Sequence, residues 1–189
     1  MRWTQERMRE VASEERTGLG LAAKDPLDPY DLCVEHGIPV YPLTEFVDSP
    51  EAVAHFSQHR VKAWSAALVP FGSGRIIIEN DRHPPVRRRS SIAHELGHHL
   101  LEHHFEGVVL GDDHARQFDQ KQEKEATFLS GELLIPLAAA TRMAYDKWEN
   151  EKVAEKYGVS IQFAQMQMRG PRVRAARAEA SFGQRWSTG

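Results

Sequence analysis

The chain has 189 residues and a formal net charge of −3, and hydrophobic residues make up 41% of it. This length and balance predict one compact soluble domain, with room for a small helical appendage. The single cysteine excludes a disulfide framework and any cysteine-based zinc finger within one chain. The amino terminus is too charged for a signal peptide, and no apolar run reaches the length of a membrane helix. We therefore expect a cytoplasmic protein, in which any metal is held by histidine and carboxylate side chains.

The first half of the chain predicts helices around a small sheet. Helix formers extend from Arg2 to Arg16, and a short helix begins at Asp28 or Pro29 and ends at Gly37. A strand near residues 38–41 and a helix over residues 49–59 follow. Two β-rich runs, 66–71 and 75–80, are joined by Gly-Ser-Gly, which is typical of a β-hairpin. The sheet is therefore expected to be small and partly antiparallel.

The second half predicts mostly helices. Ser90 or Ser91 is positioned to cap a helix whose apolar stripe contains Ile92 and Leu96. A loop rich in glycine and aspartate follows, and then a second long helix that ends before Pro136. Its core side is expected to carry Phe128, Leu129, Leu133 and Leu134. The pattern as a whole indicates an α+β fold, mostly helical, with the hairpin preceding the first long helix.

His94-Glu95-Leu96-Gly97-His98 is an H-E-x-x-H motif within that first long helix. Imidazoles four residues apart project from one helical face with Cβ atoms about 5–6 Å apart, so one Zn²⁺ fits between them. A catalytic zinc takes three protein ligands and a water molecule, whose pKa it lowers toward about 7. Glu95 is then placed to act as general base on that water. Two imidazoles and a carboxylate with an open position favour zinc over manganese.

The third metal ligand has several candidates. His104 lies ten residues after His94, but Leu101 occupies the position of the glycine in H-E-x-x-H-x-x-G-x-x-H. A carboxylate from the second long helix is therefore the better source. The competing residues are Glu123, Glu125 and Glu132. Glu125 lies on the apolar side of that helix, where a carboxylate needs a partner, and a metal ion is one.

Three segments carry a family resemblance, and they occur in the family's order: R-R-R-S-S-I-A-H-E-L-G-H-H-L-L, E-K-E-A-T-F-L-S-G-E-L-L-I-P and K-Y-G-V-S. Over about residues 28–169 the chain resembles the ImmA/IrrE family of bacterial metallopeptidases. The resemblance implies a zincin-like fold, a metal held by His94, His98 and Glu125, and Glu95 as the base. It also implies proteolysis of a regulatory protein, often a helix-turn-helix transcriptional repressor.

The resemblance also suggests how the chain is organised. We expect a helical extension over residues 1–27, a zincin-like core over 28–150, and a helix-turn-helix-like subdomain with an arginine-rich tail over 151–189. Two residues near the motif depart from the family pattern. Thr127 stands where many members have asparagine, and Glu102 stands where a histidine often follows the motif.

The residues that bind substrate are less determined. An exposed edge strand at 75–80 would pair with an extended peptide by β-augmentation, and a plain core hairpin is an equal alternative. The arginines at 87–89 favour a solvated basic run over a site for substrate carboxylates. The oxyanion of the reaction needs a donor besides the metal. The candidates for it are His99, His103, His104, Tyr145, Arg87, Arg88 and Arg89.

A DNA-binding or sensory regulator is the competing interpretation. Residues 153–169 resemble a helix-turn-helix with its turn at Gly158, and the tail that follows is basic. Gln162, Gln165 and Gln167 are the only obvious base-reading side chains, whereas Met166 and Met168 are typical of packing. In this interpretation the metal site would be structural or inactive.

Overall fold

The computed structural model describes residues 3–103 and 120–187, and these contain eight α-helices and three β-strands. In chain order they are α1 (Gln5–Gly18), α2 (Pro29–Glu35), β1 (Val40–Pro42), α3 (Pro50–Ala54), β2 (Ala66–Phe71), β3 (Gly74–Glu79), α4 (Pro85–Leu100), α5 (Gln120–Leu134), α6 (Leu137–Tyr145), α7 (Asn150–Tyr157) and α8 (Ile161–Ser187). A π-helical turn over His55–His59 continues α3. Up to β3, the elements begin and end within one helical turn of the predicted positions. No described helix combines the length and apolarity that crossing a bilayer requires.

The sheet has the order β1-β3-β2. β2 and β3 form the predicted antiparallel hairpin, with Leu68 opposite Ile77, and β1 pairs with β3 in parallel. Because β3 is paired on both sides, the prediction of a free edge at residues 75–80 is wrong. The edge strands are β1 and β2, and Pro70 is tolerated in β2 because an edge strand needs fewer backbone donors.

The core lies between the sheet and the two long helices α4 and α5. Ile92 and Leu96 of α4 are fully buried, as are Leu129 and Leu133 of α5, which confirms both predicted apolar stripes. α1 packs on the other side of α5 and buries Met8 and Ala12 in the same core. α5 therefore packs between α4 and α1, and its amino-terminal half lies beside α4.

The start of α4 differs from the prediction. The helix begins at Pro85, so Ser90 and Ser91 are interior residues and not caps. Their hydroxyls donate to the carbonyls of Val86 and Arg87 one turn earlier. Proline at the first helical position supplies the required φ and lacks only an N–H that would have no partner in the helix, so it starts α4 earlier than a serine cap would.

Because α4 begins at Pro85, the arginines at 87–89 lie within the helix and have different surroundings from those predicted. Arg88 donates to both carboxylate oxygens of buried Glu79, which also accepts from the Tyr30 hydroxyl at 2.6 Å. Burial and the bond to Glu79 raise the pKa of Tyr30. Arg89 contacts Asp28, the cap of α2, at 3.1 Å. The predicted solvated basic run is therefore wrong for Arg88 and Arg89, which tie α4 to the sheet and to α2.

The end of α4 is a tight reversal. The N–H of Glu102 donates to the carbonyl of His99, and that of His103 donates to the carbonyl of His98, both at 3.0 Å. This is a Schellman motif, in which Glu102 takes the left-handed conformation (φ 52°) that glycine usually supplies. It directs His103 back toward the motif. His104 and the predicted glycine- and aspartate-rich loop lie outside the described residues.

The helix-turn-helix-like segment contributes to the core. α7 ends at Gly158, whose left-handed conformation (φ 61°) turns the chain into α8. Val153 and Tyr157 of α7 and Ala164 and Met168 of α8 are buried in the same cluster as α4 and α5. The predicted packing role is confirmed for Met168, which is fully buried, but is wrong for Met166, which is half exposed on the outer side of α8.

Candidate metal centre

Two histidines and one carboxylate converge at the crossing of α4 and α5. The Nε2 atoms of His94 and His98 lie 3.1 Å apart. One carboxylate oxygen of Glu123 lies 3.2 Å from His94 Nε2, and the other lies 3.3 Å from His98 Nε2. His98 is buried, whereas His94 and Glu123 are partly exposed. Among the described residues, this is the one group of three histidine, cysteine or carboxylate side chains compact enough to hold a metal ion.

Small residues bring α5 this close to α4. A Cβ atom added to Gly97, within the H-E-x-x-H motif, would lie 2.8 Å from the carbonyl oxygen of Ala126 and 3.0 Å from its Cα. The two helix backbones are therefore in direct contact at Gly97 and Ala126. Glu123 precedes Ala126 by three residues and so shares its helical face. This places its carboxylate over the two histidines.

The three carboxylates that competed as third ligand have different partners. Glu123 contacts the motif histidines, whereas buried Glu125 lies 3.2 Å from His103 Nε2 and 3.6 Å from the Lys121 amine. Glu132 accepts from the Arg9 side chain at 3.0 Å and from the N–H of Leu137, at the start of α6, at 2.9 Å. The structure thus brings Glu123, rather than the Glu125 implied by the resemblance, to His94 and His98.

The geometry explains why sequence reasoning ranked Glu125 first. Glu125 shares a helical face with Phe128 and Glu132. The latter two contact α1, whereas Glu125 contacts His103 at the end of α4. The guanidinium of Arg9 lies 5.1 Å from the centre of the Phe128 ring and also binds Glu132. The face toward α4 is instead marked by Ala126, a small residue that the apolar pattern does not single out.

Glu95, the predicted base, lies at the edge of the sheet. Its carboxylate accepts a hydrogen bond from the N–H of Leu68 in β2 at 2.8 Å. The N–H of Ile77, opposite Leu68, points the other way and donates to Pro39 at 2.9 Å. Leu68 and Ile77 are therefore a pair without mutual hydrogen bonds, and the backbone polar groups of Leu68 face outward from the sheet. Glu95 thus lies on the outer side of β2.

His103 is a site residue that sequence reasoning considered only as an oxyanion donor. Its Nδ1 lies 2.9 Å from Nδ1 of His98, and its Nε2 lies 3.2 Å from Glu125. The ring is 4% exposed. With both nitrogens in these contacts, His103 faces the back of His98 and not the solvent.

The other oxyanion candidates have different surroundings. His99 packs edge-on against His36, and its pKa is lowered by burial and by the positive charge of Arg75. Tyr145 is about half exposed at the end of α6. Arg87 donates to the Ser65 hydroxyl at 2.9 Å, beside the start of β2.

Comparison with known proteins assigns the family. No curated protein matches the chain. The family model Peptidase_M78, described as the IrrE N-terminal-like domain, matches residues 34–169. The matched region contains the H-E-x-x-H helix, the three carboxylates of α5 and the sheet edge beside Glu95. The chain therefore belongs to the ImmA/IrrE family of metallopeptidases, with the α+β zincin-like fold of that family.

Proposed function

We propose that this protein is a zinc-dependent endopeptidase that cuts a regulatory protein, with His94, His98 and Glu123 as metal ligands and Glu95 as general base. The observation that carries the proposal is the convergence of the three side chains: the two Nε2 atoms lie 3.1 Å apart, and each lies 3.2–3.3 Å from a different carboxylate oxygen of Glu123. Ligand atoms that lie about 2.0–2.1 Å from a tetrahedral zinc are about 3.3–3.4 Å apart. The spacing of the two imidazole nitrogens is therefore close to that of two corners of such a tetrahedron, and a carboxylate oxygen of Glu123 lies at similar range from each of them.

The chemistry of the donors supports zinc. Two imidazole nitrogens and one carboxylate are a ligand set of zinc hydrolases, and a fourth position remains for water. When bound, zinc would supply a water molecule whose pKa is lowered toward about 7. Glu95 would accept a proton from this water on its carboxylate and deliver it to the leaving amide nitrogen. The N–H of Leu68 holds that carboxylate in place, which favours this use.

The edge of β2 supports an extended peptide as substrate. The outward-facing positions of β2 are Ala66, Leu68 and Pro70, because antiparallel pairs alternate and Leu68 faces outward. Proline at such a position removes no hydrogen bond to β3. A peptide that adds to this edge by β-augmentation would bind the outward backbone carbonyls of β2 and run past Glu95, because the N–H of Leu68 already donates to Glu95. We therefore assign to β2 the substrate-pairing role that the sequence suggested for residues 75–80.

The choice of substrate protein and of location has a different basis. A helix-turn-helix transcriptional repressor as substrate follows from the family resemblance, and the proposed location in the cytoplasm follows from that substrate, which acts on DNA there. The packing of α7 and α8 into the core supports a structural role for this segment. In particular, Gln167, one of the three possible base readers, packs its side chain against Gly131 of α5.

The test is cleavage of a proteome-derived peptide library by the zinc-loaded protein, with new termini identified by mass spectrometry. We expect cuts that depend on zinc and that vanish in Glu95→Gln, although this variant retains the metal. Cuts by Glu95→Gln at the rate of the wild type would contradict the role of Glu95. No cuts by a zinc-loaded wild type would contradict the peptidase. In cells, comparison of new protein termini between wild type and Glu95→Gln would then identify the regulatory substrate.

A further inference from the structure

Behind the metal-facing side of His98, a buried chain of hydrogen bonds leads to Glu125. His98 Nδ1 lies 2.9 Å from His103 Nδ1, and His103 Nε2 lies 3.2 Å from a carboxylate oxygen of Glu125. The three residues are 3%, 4% and 8% exposed. Buried polar groups at these distances are strongly oriented by one another, because water does not compete for their hydrogen bonds.

These hydrogen bonds determine which nitrogen of His98 carries hydrogen. An ionised carboxylate only accepts, so His103 Nε2 donates to Glu125. A neutral His103 then has its lone pair on Nδ1, where it accepts a hydrogen from His98 Nδ1. The lone pair of His98 is therefore left on Nε2, the atom that lies 3.1 Å from His94 and 3.3 Å from Glu123.

The opposite arrangement of hydrogens would prevent His98 from binding a metal ion through Nε2. If both nitrogens of His103 carried hydrogen, His103 would donate to Nδ1 of His98. A neutral His98 would then carry its hydrogen on Nε2 and have no lone pair toward His94 and Glu123. Only the first arrangement makes His98 a ligand through Nε2.

Two features of the fold hold His103 and Glu125 in these hydrogen bonds. The Schellman turn at Glu102 directs His103 back onto the last turn of α4, even though a left-handed conformation is unfavourable for a residue with a side chain. Lys121, one turn before Glu125 on α5, lies 3.6 Å from the second carboxylate oxygen of Glu125. The pair Glu125–Lys121 thus orients the carboxylate toward His103.

We propose that His103 and Glu125 are positioning residues, which fix the ring orientation and the tautomer of His98 and so raise the metal affinity of the site. The proposal rests on the metal site of the preceding section. It gives Glu125 a function other than that of a ligand, and it explains why a carboxylate is buried so close to the centre. Loss of an outer partner of a ligating histidine typically weakens metal binding about 10- to 100-fold.

The experiment measures zinc affinity and the His98 tautomer separately. Zinc affinity is obtained by competition with a chromophoric chelator for the wild type, His103→Ala, Glu125→Gln and Glu123→Ala. The tautomer is read at pH 8 from ¹⁵N spectra of the metal-free protein with labelled histidine, which requires neither zinc nor activity. Glu132→Gln is the matched control, because Glu132 is also a buried carboxylate of α5 but binds Arg9 and Leu137.

We expect His98 to carry its hydrogen on Nδ1 in the wild type, and His103→Ala to populate the Nε2–H form. His103→Ala and Glu125→Gln should bind zinc about 10- to 100-fold more weakly, Glu123→Ala should lose it, and Glu132→Gln should match the wild type. Glu125→Gln preserves side-chain shape and decides the question if His103→Ala does not fold. Wild-type affinity in both variants would overturn this proposal alone, as would an Nε2–H tautomer of His98 in the wild type. A wild type that binds no zinc would instead overturn the proposed function.

Discussion

The closest helix contact in the site leads to a sharp prediction about Gly97→Ala. The new methyl group would lie 2.8 Å from the Ala126 carbonyl oxygen, and the neighbours it meets are all backbone atoms that cannot rotate away. Restoring an ordinary contact of 3.4 Å requires α4 and α5 to separate by about 0.6 Å. Glu123, one turn from Ala126, moves with α5. Metal–ligand distances tolerate only about 0.2 Å, so this displacement should remove Glu123 from its position relative to the histidines.

We therefore expect Gly97→Ala to weaken zinc binding at least about tenfold, equivalent to about 1.4 kcal/mol. Overpacking costs about 1–3 kcal/mol, and alanine in a helix returns about 0.5–1 kcal/mol relative to glycine. The free energy of unfolding should thus fall by about 0–2.5 kcal/mol. Chelator competition and urea unfolding of the metal-free protein measure the two effects. Gly18→Ala is the control, because nothing lies within 4 Å of its added Cβ. Equal zinc affinity in the two variants would show that the contact of Gly97 with Ala126 does not set the position of Glu123.

Three further predictions concern stability and reactivity. Arg16 is buried and donates to the carbonyls of Leu133, Ala22 and Asp25, so Arg16→Ala should lower the free energy of unfolding by about 3 kcal/mol or more. Urea unfolding measures this loss, and a loss no larger than that of exposed Arg142→Ala would contradict it. Burial raises the pKa of the Cys33 thiol to about 12, so little reactive thiolate exists at pH 8. Alkylation there should be slow until urea unfolds the chain, and equal rates with and without urea would contradict this. Finally, zinc at about 100 times its dissociation constant should stabilise the fold by about 2.7 kcal/mol, which raises the Tm by about 5–10 °C. A chelator should reverse the shift, and a similar shift in Glu123→Ala would count against the assigned ligand.

Local sequence patterns predict much of the fold and two of the three proposed metal ligands, His94 and His98. The spacing of His94 and His98 fixes their common face because it depends only on helical geometry. The hairpin of β2 and β3 follows from its turn residues. Both apolar stripes of α4 and α5 appear in the core as predicted.

The remaining features depend on contacts between elements that are distant in sequence. The choice between Glu123 and Glu125 is decided by which face of α5 meets α4, and the contact of Gly97 with Ala126 sets that face. The hairpin alone does not determine which of its two strands forms an edge of the sheet. β1 determines it, because β1 pairs with β3 and leaves β2 at the edge. The position of His103 depends on a left-handed conformation at a glutamate, for which the sequence gives no signal. The start of α4 was within reach, because Pro85 is itself a residue that begins helices.

The metal content of four purified proteins tests whether Glu123 is the third zinc ligand. Inductively coupled plasma mass spectrometry would count zinc per chain after reconstitution and desalting in the wild type, Glu95→Gln, Glu123→Ala and Glu132→Gln. We expect about one zinc in the wild type, in Glu95→Gln and in Glu132→Gln, and almost none in Glu123→Ala, since among the described residues Glu123 is the carboxylate that contacts both histidines. A full zinc complement in Glu123→Ala, or none in the wild type, would contradict this.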